Sequence, residues 1–142
     1  YMTFFPNNTD YNLDGAPNSW ACIPAVRHAL AKFDNCMYAW YLSDESLIMN
    51  LAFTVEGDIM NPKKLETLML RDQPIVPPNS VIKTFPNLKG TNIDFVLTQD
   101  NSGLSSSSFI IRKGDWSKFF LDIWFDPLYR SYNFQKGHTH AL

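Results

Sequence analysis

Between Met37 and Leu42 every position is apolar or aromatic, so both of the alternating sets that would face opposite sides of a strand are apolar. A strand that is buried on both faces has this composition. The pattern therefore predicts a strand here, in the middle of a sheet. Two further apolar runs, at 93–98 and 108–112, predict a second and a third strand. The polar loop 99–104 between them predicts a hairpin or a bulged crossover.

Two helices are predicted where apolar residues recur at a spacing of three or four. The first has Ser19 as its N-cap and runs to Phe33. The second has Asn61 as its N-cap and Pro62 at its first helical position, and it runs to about Leu70. Its predicted inner face consists of Leu65, Leu68 and Met69.

A third helix is predicted to begin with Asp115 as its cap and to end before Pro127. Aromatic residues at helical spacing belong to a core far more often than to a ligand platform. Residues 73–80 are rich in proline and predict an extended connector or an edge strand. Residues 1–18 are rich in Asn, Asp, Pro and Gly and predict an irregular arm. The predicted core face of the third helix is Trp116, Phe119, Phe120, Ile123 and Trp124.

The chain of 142 residues is 45% hydrophobic and 15% aromatic, which suffices for the core of a single domain. Its net charge of -2, with scattered lysines and arginines, disfavours nucleic acid as a partner. No apolar run approaches the roughly 18 residues that cross a bilayer. Cys22 and Cys36 match no zinc spacing and leave two interpretations open, a disulfide or two free thiols.

Asp44 and Glu45 come directly after the first predicted strand. Ligands of open α/β sheets bind outside the carboxyl ends of the strands. Two carboxylates at such a place suit a hard divalent cation that carries phosphates, because Mg²⁺ and similar ions combine one or two carboxylates with substrate oxygens. Acidic residues after a strand are also common in solvated turns, so the residues alone leave both interpretations open.

Residues 40–50 read WYLSDESLIMN and resemble the metal-binding element, similar to WYLDQDALIMN, of fungal α-1,6-mannosyltransferases in glycosyltransferase family 34. Residues 20–30 are similar to that family's W-A-K-x-P-A-x-R-H-A-L helix, and the longest match lies at 116–130. The resemblance implies an α/β fold of the GT-A type, the nucleotide-sugar transferase fold with a Rossmann-like mixed sheet flanked by helices. It also implies that residues 1–142 form one glycosyltransferase catalytic domain, with 1–18 as its arm.

The catalytic domain of the family is longer than this chain, so the resemblance implies an incomplete domain. We expect it to lack the strand that begins the nucleotide-binding half, the membrane anchor, and a C-terminal segment that supplies a further metal-binding histidine. The tail at 134–142 looks like the family's F-Q-K-A-E-x-H-A-L, with His138 in place of the Glu.

The resemblance also implies a metal site. The family's Asp-x-Asp motif falls on Ser43, Asp44 and Glu45, which implies Mn²⁺ at Asp44 and Glu45. A serine in place of the first aspartate removes one negative charge from a site whose affinity depends mostly on charge. We therefore expect manganese binding to be weak or lost.

In the family, the loop after the second of these strands shapes the pocket for the donor sugar. The resemblance implies catalytic roles for Gln99 and Asp100, and donor or acceptor binding by Asp100, Gly103 and Arg112. Without the resemblance, Asp100 would be an ordinary turn residue. The serines at 105–107 stand where the family has a second glycine, and we expect them to crowd or strain the pocket.

The implied reaction is transfer of mannose from GDP-mannose to a mannan or N-glycan acceptor, with retention at the anomeric carbon. The implied location is the Golgi lumen, with membrane attachment only through a segment that this chain lacks. The altered metal motif leaves open whether the chain is an enzyme. The alternative is a catalytically inactive glycosyltransferase-like subunit of a mannan-synthesising complex, and a sugar-binding module without chemistry is a third interpretation.

Overall fold

The computed structural model describes residues 1–101, 103–131 and 137–142. In these ranges the strands are β1 (Tyr38–Leu42), β2 (Phe95–Asp100) and β3 (Gly103–Arg112). They form an antiparallel sheet in the order β1-β3-β2. The predicted hairpin is confirmed, because β2 and β3 pair directly, with a register shift in β2 after Leu97. The chain is thus mixed α/β, while the GT-A fold stays a prediction.

Helices surround this sheet. The α-helices in the described ranges are α1 (Cys22–Lys32), α2 (Pro62–Leu68), α3 (Asp115–Trp124) and α4 (Pro127–Ser131). None of the helices in the described ranges combines the length and the apolarity that a membrane span requires. Short 3-10 turns lie at Asn8–Asp10, Asn18–Ala21, Gly90–Asn92 and His138–Ala141, and a π-helical turn lies at Val55–Ile59.

The core lies where β3 meets α1 and α3. Phe109 and Ile111 of β3 are almost fully buried on the face that carries these helices. Ile110 points to the opposite face, where it packs with Val55 and Met60 in a second, smaller cluster. A strand that is buried on both faces belongs at the centre of a sheet. The helices contribute Ile23, Val26, Leu30, Leu121 and Trp124 to the larger cluster.

The prediction that the strand at 37–42 is central is wrong. β1 lies at an edge of the sheet and pairs only with β3 in the described part of the chain. Trp40 is exposed, and its indole N–H donates to Ser108 Oγ at 3.0 Å. The apolar pattern misled because Trp and Tyr carry a polar end and therefore tolerate a half-buried position.

The predicted core face of α3 needs correction too. Gly114 stands at the N-cap, and Asp115 lies in the first turn. Trp116 is 47% exposed, whereas Ser117 and Leu121 are buried. Ser117 takes the inner position, where its hydroxyl donates to the carbonyl of Arg112 at the end of β3. Phe119 and Ile123 are exposed as well, and only Phe120 and Trp124 of the predicted face pack against the core.

The first two predicted helices are confirmed with shifted ends. The first one opens with a 3-10 turn after Pro17 rather than with Ser19 as N-cap. Asn61 caps α2 as predicted, because its side chain accepts hydrogen bonds from the backbone N–H groups of Lys63 and Lys64. Leu65 faces inward, but Leu68 is 61% exposed.

The remaining connections are settled by hydrogen bonds. Residues 73–80 form a connector with a single antiparallel bridge, between Pro74 and Lys83, so the edge-strand alternative is wrong. Cys22 and Cys36 are both free thiols. Burial raises the pKa of the Cys22 thiol to about 12.

Candidate active site at the carboxyl edge of the sheet

The predicted site residues follow two strands that end at the same edge of the sheet. β1 and β2 both run antiparallel to β3, so they are parallel to each other. Asp44 and Glu45 follow β1, while Gln99 and Asp100 are the last residues of β2. The end of the sheet at which β1 and β2 terminate, termed its carboxyl edge, therefore carries both candidate groups.

A network of serines fixes the turn that carries the two carboxylates. The backbone N–H of Ser43 donates to the carbonyl of Ser107 on β3 at 2.8 Å, and the Ser46 hydroxyl donates to the same carbonyl at 3.1 Å. The hydroxyls of Ser43 and Ser46 also bond to each other at 3.0 Å. The turn is thereby attached to β3, and Asp44 and Glu45 lie exposed at its tip.

The described residues do not make a preformed metal site. Among them, no group of three or more His, Cys, Asp and Glu side chains lies close enough to hold an ion. Ser43 offers only a neutral hydroxyl, which bonds to Ser46, so Asp44 and Glu45 are the charged candidate ligands in this turn. Mn²⁺ prefers carboxylate, carbonyl and water oxygens, and two carboxylates fill only part of such a shell.

The Tyr41 hydroxyl is influenced electrostatically both by Asp44 in the acidic turn and by Cys22 in the core. Burial, together with the neighbouring Cys22 and Asp44, raises the pKa of the Tyr41 hydroxyl to about 12. The Tyr41 side chain therefore stays neutral at physiological pH. The charge of Asp44 thus lies near the carboxyl end of β1.

Gln99 and Asp100 line a cleft of about 480 Å³ between the end of the β2–β3 hairpin and the proline-rich connector. The amide nitrogen of Gln99 donates to the carbonyl of Pro74 at 2.6 Å, so this side chain ties the connector to β2. The volume lies in the range of small-molecule sites. The other lining residues are Leu70, Gln73, Pro77, Pro78 and Asn101.

The glycine at position 103, which pairs with Asp100 in the hairpin, is explained by its backbone conformation. Its φ of 125° lies in the region that residues with a side chain rarely adopt. A Cβ atom there would lie 3.6 Å from the carbonyl oxygen of Ile75 and 3.6 Å from Val76 Cγ2. These are ordinary van der Waals distances, so the φ angle of the hairpin turn, and not the space beside the connector, favours glycine at position 103.

The two candidate groups occupy separate ends of the carboxyl edge. Ser43 is bonded to Ser107, whereas Asp100 pairs with Gly103. Gly103 and Ser107 are four residue steps apart on β3, which corresponds to about 13 Å along the strand. The structure therefore brings Asp44 and the Gln99–Asp100 pair to one edge without bringing them into contact.

Arg112 lies elsewhere. It is at the opposite end of β3, nine residues from Gly103 and about 30 Å along the strand. Its Nε lies 3.4 Å from Asp94 Oδ1, and its guanidinium lies over the Tyr38 ring with 5.6 Å to the centroid. The structure therefore separates Arg112 from the other residues predicted to bind sugar.

Sequence reasoning missed a buried polar cluster behind the site. His138 Nε2 lies 2.8 Å from the hydroxyl of Ser106, which also bonds to Thr139. The indole N–H of Trp124 donates to the carbonyl of His138 at 3.0 Å. Burial lowers the pKa of the His138 imidazole to about 4.

No sequence signal could have joined these groups, because Ser106 and His138 are 32 residues apart and are brought together only by the fold. In sequence, the serines at 105–107 pointed to strain in a pocket, whereas Ser106 points into the core and is 1% exposed. The part of the family-like tail at 134–136 lies outside the described residues.

Comparison with known proteins identifies the family. A model of the galactosyl transferase GMA12/MNN10 family matches residues 1–142. An α-1,2-galactosyltransferase of Schizosaccharomyces pombe, itself described as uncharacterized, is 30% identical over 128 residues, which cover 90% of this chain and 39% of that protein. A second such protein of the same yeast is 31% identical over 121 residues, covering 82% of this chain and 32% of its own. The chain belongs to the galactosyl transferase GMA12/MNN10 family.

A relative from another yeast carries a different sugar in its name. The probable α-1,6-mannosyltransferase MNN10 of Saccharomyces cerevisiae is 30% identical over 110 residues, 77% of this chain and 28% of that protein. The chain thus spans 28% to 39% of the length of these three relatives. No solved structure matches the chain. Glycosyl transfer is the activity that the names of these relatives share.

Proposed function

We propose that this chain forms part of a hexosyltransferase that moves mannose from GDP-mannose to a mannan or N-glycan acceptor with retention, in the Golgi lumen. The observation that carries the proposal is the match to the family over residues 1–142. In this proposal Asp44 and Glu45 lie near the diphosphate of the donor, while Gln99 and Asp100 contact the hexose. Binding of the diphosphate and the hexose at separate places suits an extended nucleotide-sugar ligand.

The arrangement at the sheet edge supports this assignment. The exposed turn with Asp44 and Glu45 and the cleft with Asp100 follow parallel strands on opposite sides of β3, and they are offset by about 13 Å along it. A diphosphate and its attached hexose could span this distance. Any manganese would bind weakly, because the described residues offer two carboxylates and the donor would have to supply further oxygens.

The donor sugar has two candidates. The relatives from Schizosaccharomyces pombe are named galactosyltransferases, and the one from Saccharomyces cerevisiae is named a mannosyltransferase. The segment at 40–50 resembles the mannosyltransferase element, which is why we favour mannose. An activated galactose is the second candidate.

An inactive subunit of a mannan-synthesising complex is the other candidate function. It is favoured by one observation: the hydroxyl of Ser43, at the first position of the Asp-x-Asp motif, is engaged with Ser46. A structural subunit would keep the core around β3 while its ligand positions change.

Calorimetric titration of the purified chain with GDP-mannose, with and without Mn²⁺, tests the proposal. The donor site is supported if binding depends on the metal and is lost in Asp44→Asn. The matched control is Glu56→Gln, which changes another exposed acid and should keep the binding. Binding of UDP-galactose in place of GDP-mannose would assign the galactose donor.

The double variant Ser43→Asp, Glu45→Asp distinguishes the two functions. If metal and GDP-mannose bind only after this restoration, the native chain is the inactive subunit. If neither protein binds a donor, the proposed donor site is wrong for this chain. Immunofluorescence of the full-length protein against a Golgi marker checks its proposed location, and staining elsewhere would refute it.

A further inference from the structure

The sequence predicts Trp116 to be a core residue of α3, but the structure leaves its side chain partly exposed. It is 47% exposed, whereas Trp124 on the same helix is 2% exposed. One face of its indole stacks on Phe120, with ring centroids 5.0 Å apart and planes at 6°. Phe120 in turn packs on Phe95 at 4.9 Å. The indole of Trp116 is thereby supported from one side as a rigid platform.

A shallow cleft of about 380 Å³ lies at this platform. Trp116 and Phe95 form its aromatic part, and Asn92 and Asp94 its polar part. Sites for small ligands combine an apolar or aromatic wall with a few polar groups, and begin at about 300 Å³. This cleft has both features.

The charge of Asp94 in the cleft lining is offset by Arg112, which does not itself line the cleft. Asp94 and Arg112 form an ion pair at 3.4 Å, and both side chains are partly exposed, at 41% and 33%. A carboxylate offers acceptors and a guanidinium offers donors. Because the two charges offset each other, the pair suits a neutral ligand rather than a phosphate, which would meet the carboxylate of Asp94.

We propose that this cleft binds a neutral hexopyranose of a glycan chain. A pyranose ring has a face of C–H groups, which would lie on the indole of Trp116, and a rim of hydroxyls, which would bond to Asn92 and Asp94. A nucleobase could also stack there, but the chain's net charge of -2 and scattered basic residues disfavour nucleic acid. That the hexose is mannose or galactose rests on the proposed function.

The cleft is remote from the candidate active site. Asp94 and Arg112 lie at the end of the sheet opposite to Gly103, about 30 Å away along β3. The hexose bound here is therefore a different unit of the glycan from the one that reacts. Such a second contact would hold a long acceptor chain near the enzyme and raise its local concentration.

Titration of the chain with α-1,6-linked mannotetraose and with α-linked galactobiose tests the inference. The titration contains neither nucleotide sugar nor metal, so that its result does not depend on the donor site. Affinity is measured by calorimetry for the wild type and every variant. In the wild type, the NMR shift of the Trp116 indole N–H, which the spectrum of Trp116→Phe assigns, locates the bound sugar at the cleft. We expect Trp116→Ala to lower the affinity about tenfold or more, which is at least 1.4 kcal/mol.

Phe119→Ala is the matched control, because Phe119 is 64% exposed on the same helix but does not line the cleft. We expect its affinity to stay within about twofold of the wild type, and we expect Trp116→Tyr to retain part of the binding, since a flat ring remains. Thermal unfolding of each variant checks that it folds. Asp94→Asn provides a second test that leaves the platform intact, and should weaken binding too.

Several results would overturn the inference. They are the absence of binding by the wild type to either sugar, equal losses in Trp116→Ala and Phe119→Ala, and unchanged binding in both Trp116→Ala and Asp94→Asn. Dimerisation that Trp116→Ala abolishes, with no sugar binding, would identify this surface as a contact between two copies instead. Failure of donor binding with intact oligosaccharide binding would refute only the proposed function.

Discussion

Acidification should destabilise the fold through His138. This side chain is 8% exposed, and burial lowers its pKa from 6.5 to about 4. Its Nε2 bonds to Ser106, and within the described residues its Nδ1 has no hydrogen-bond partner. Protonation would place a charge and an unpaired N–H between the rings of Trp20 and Trp124, where water does not solvate them.

The sign and the size of the change in unfolding free energy follow from the linkage between protonation of His138 and folding. In the unfolded chain His138 takes up a proton below about pH 6.5, whereas in the folded chain it does so only near pH 4. The free energy of unfolding is therefore unaffected above pH 6.5 and falls by about 1.4 kcal/mol per pH unit between the two values. The whole loss amounts to about 3 kcal/mol, a large part of the 5–15 kcal/mol of a typical domain.

Urea unfolding at pH 7.5, 6.5, 5.5 and 4.5 measures this loss. In His138→Gln, which has no titrating group but retains a nitrogen donor, the free energy of unfolding should fall less steeply with decreasing pH. His140→Gln is the matched control, since His140 is exposed two residues further along. The reasoning is refuted if the difference between wild type and His138→Gln is the same at every pH, or if His140→Gln removes the pH dependence equally.

Further expectations concern the backbone and the core. Gly103→Ala should cost about 1–3 kcal/mol of unfolding free energy, because the φ angle of Gly103 is 125°. Gly114→Ala should cost less than about 1 kcal/mol, because the φ angle of Gly114 is 178°. Equal losses of the two variants in urea unfolding would contradict this. Asn61→Ala should cost about 1 kcal/mol by removing the cap of α2, and an unchanged urea midpoint would refute that role. Phe109→Ala should lower the unfolding free energy by about 3–5 kcal/mol, because it leaves a cavity at the centre of the sheet. A loss below about 1 kcal/mol would show that Phe109 is not a core residue.

Local signals predicted the elements of this fold better than their arrangement. The Asn61–Pro62 pair fixes a helix start, because cap chemistry depends only on neighbouring residues. The strand at 37–42 was assigned correctly as a strand, but its position at the edge depends on pairing with β3, more than 60 residues away. Similarly, the inward position of Ser117 follows from the carbonyl of Arg112, which no periodicity reveals.

The same holds for the candidate site, whose parts could be predicted from local sequence while their arrangement could not. Asp44 and Glu45, and also Gln99 and Asp100, could be located from the sequence because each pair ends a strand. Their separation along the sheet edge could not be predicted, because it depends on how far β3 extends beyond β1. Arg112 was grouped with them by resemblance alone, and only the register shows that it belongs to the other end of β3.

The position of β1 at the edge gives Asp44 and Glu45 a second consequence. In the described part of the chain its outer side has no strand partner, and Tyr38–Leu42 contains no charged residue. Such an edge invites pairing with the same edge of another molecule and then aggregation, which flanking charges oppose. Variants that neutralise Asp44 and Glu45 would therefore lose solubility as well as the two proposed metal ligands, whereas Glu45→Asp retains the charge and should retain the solubility.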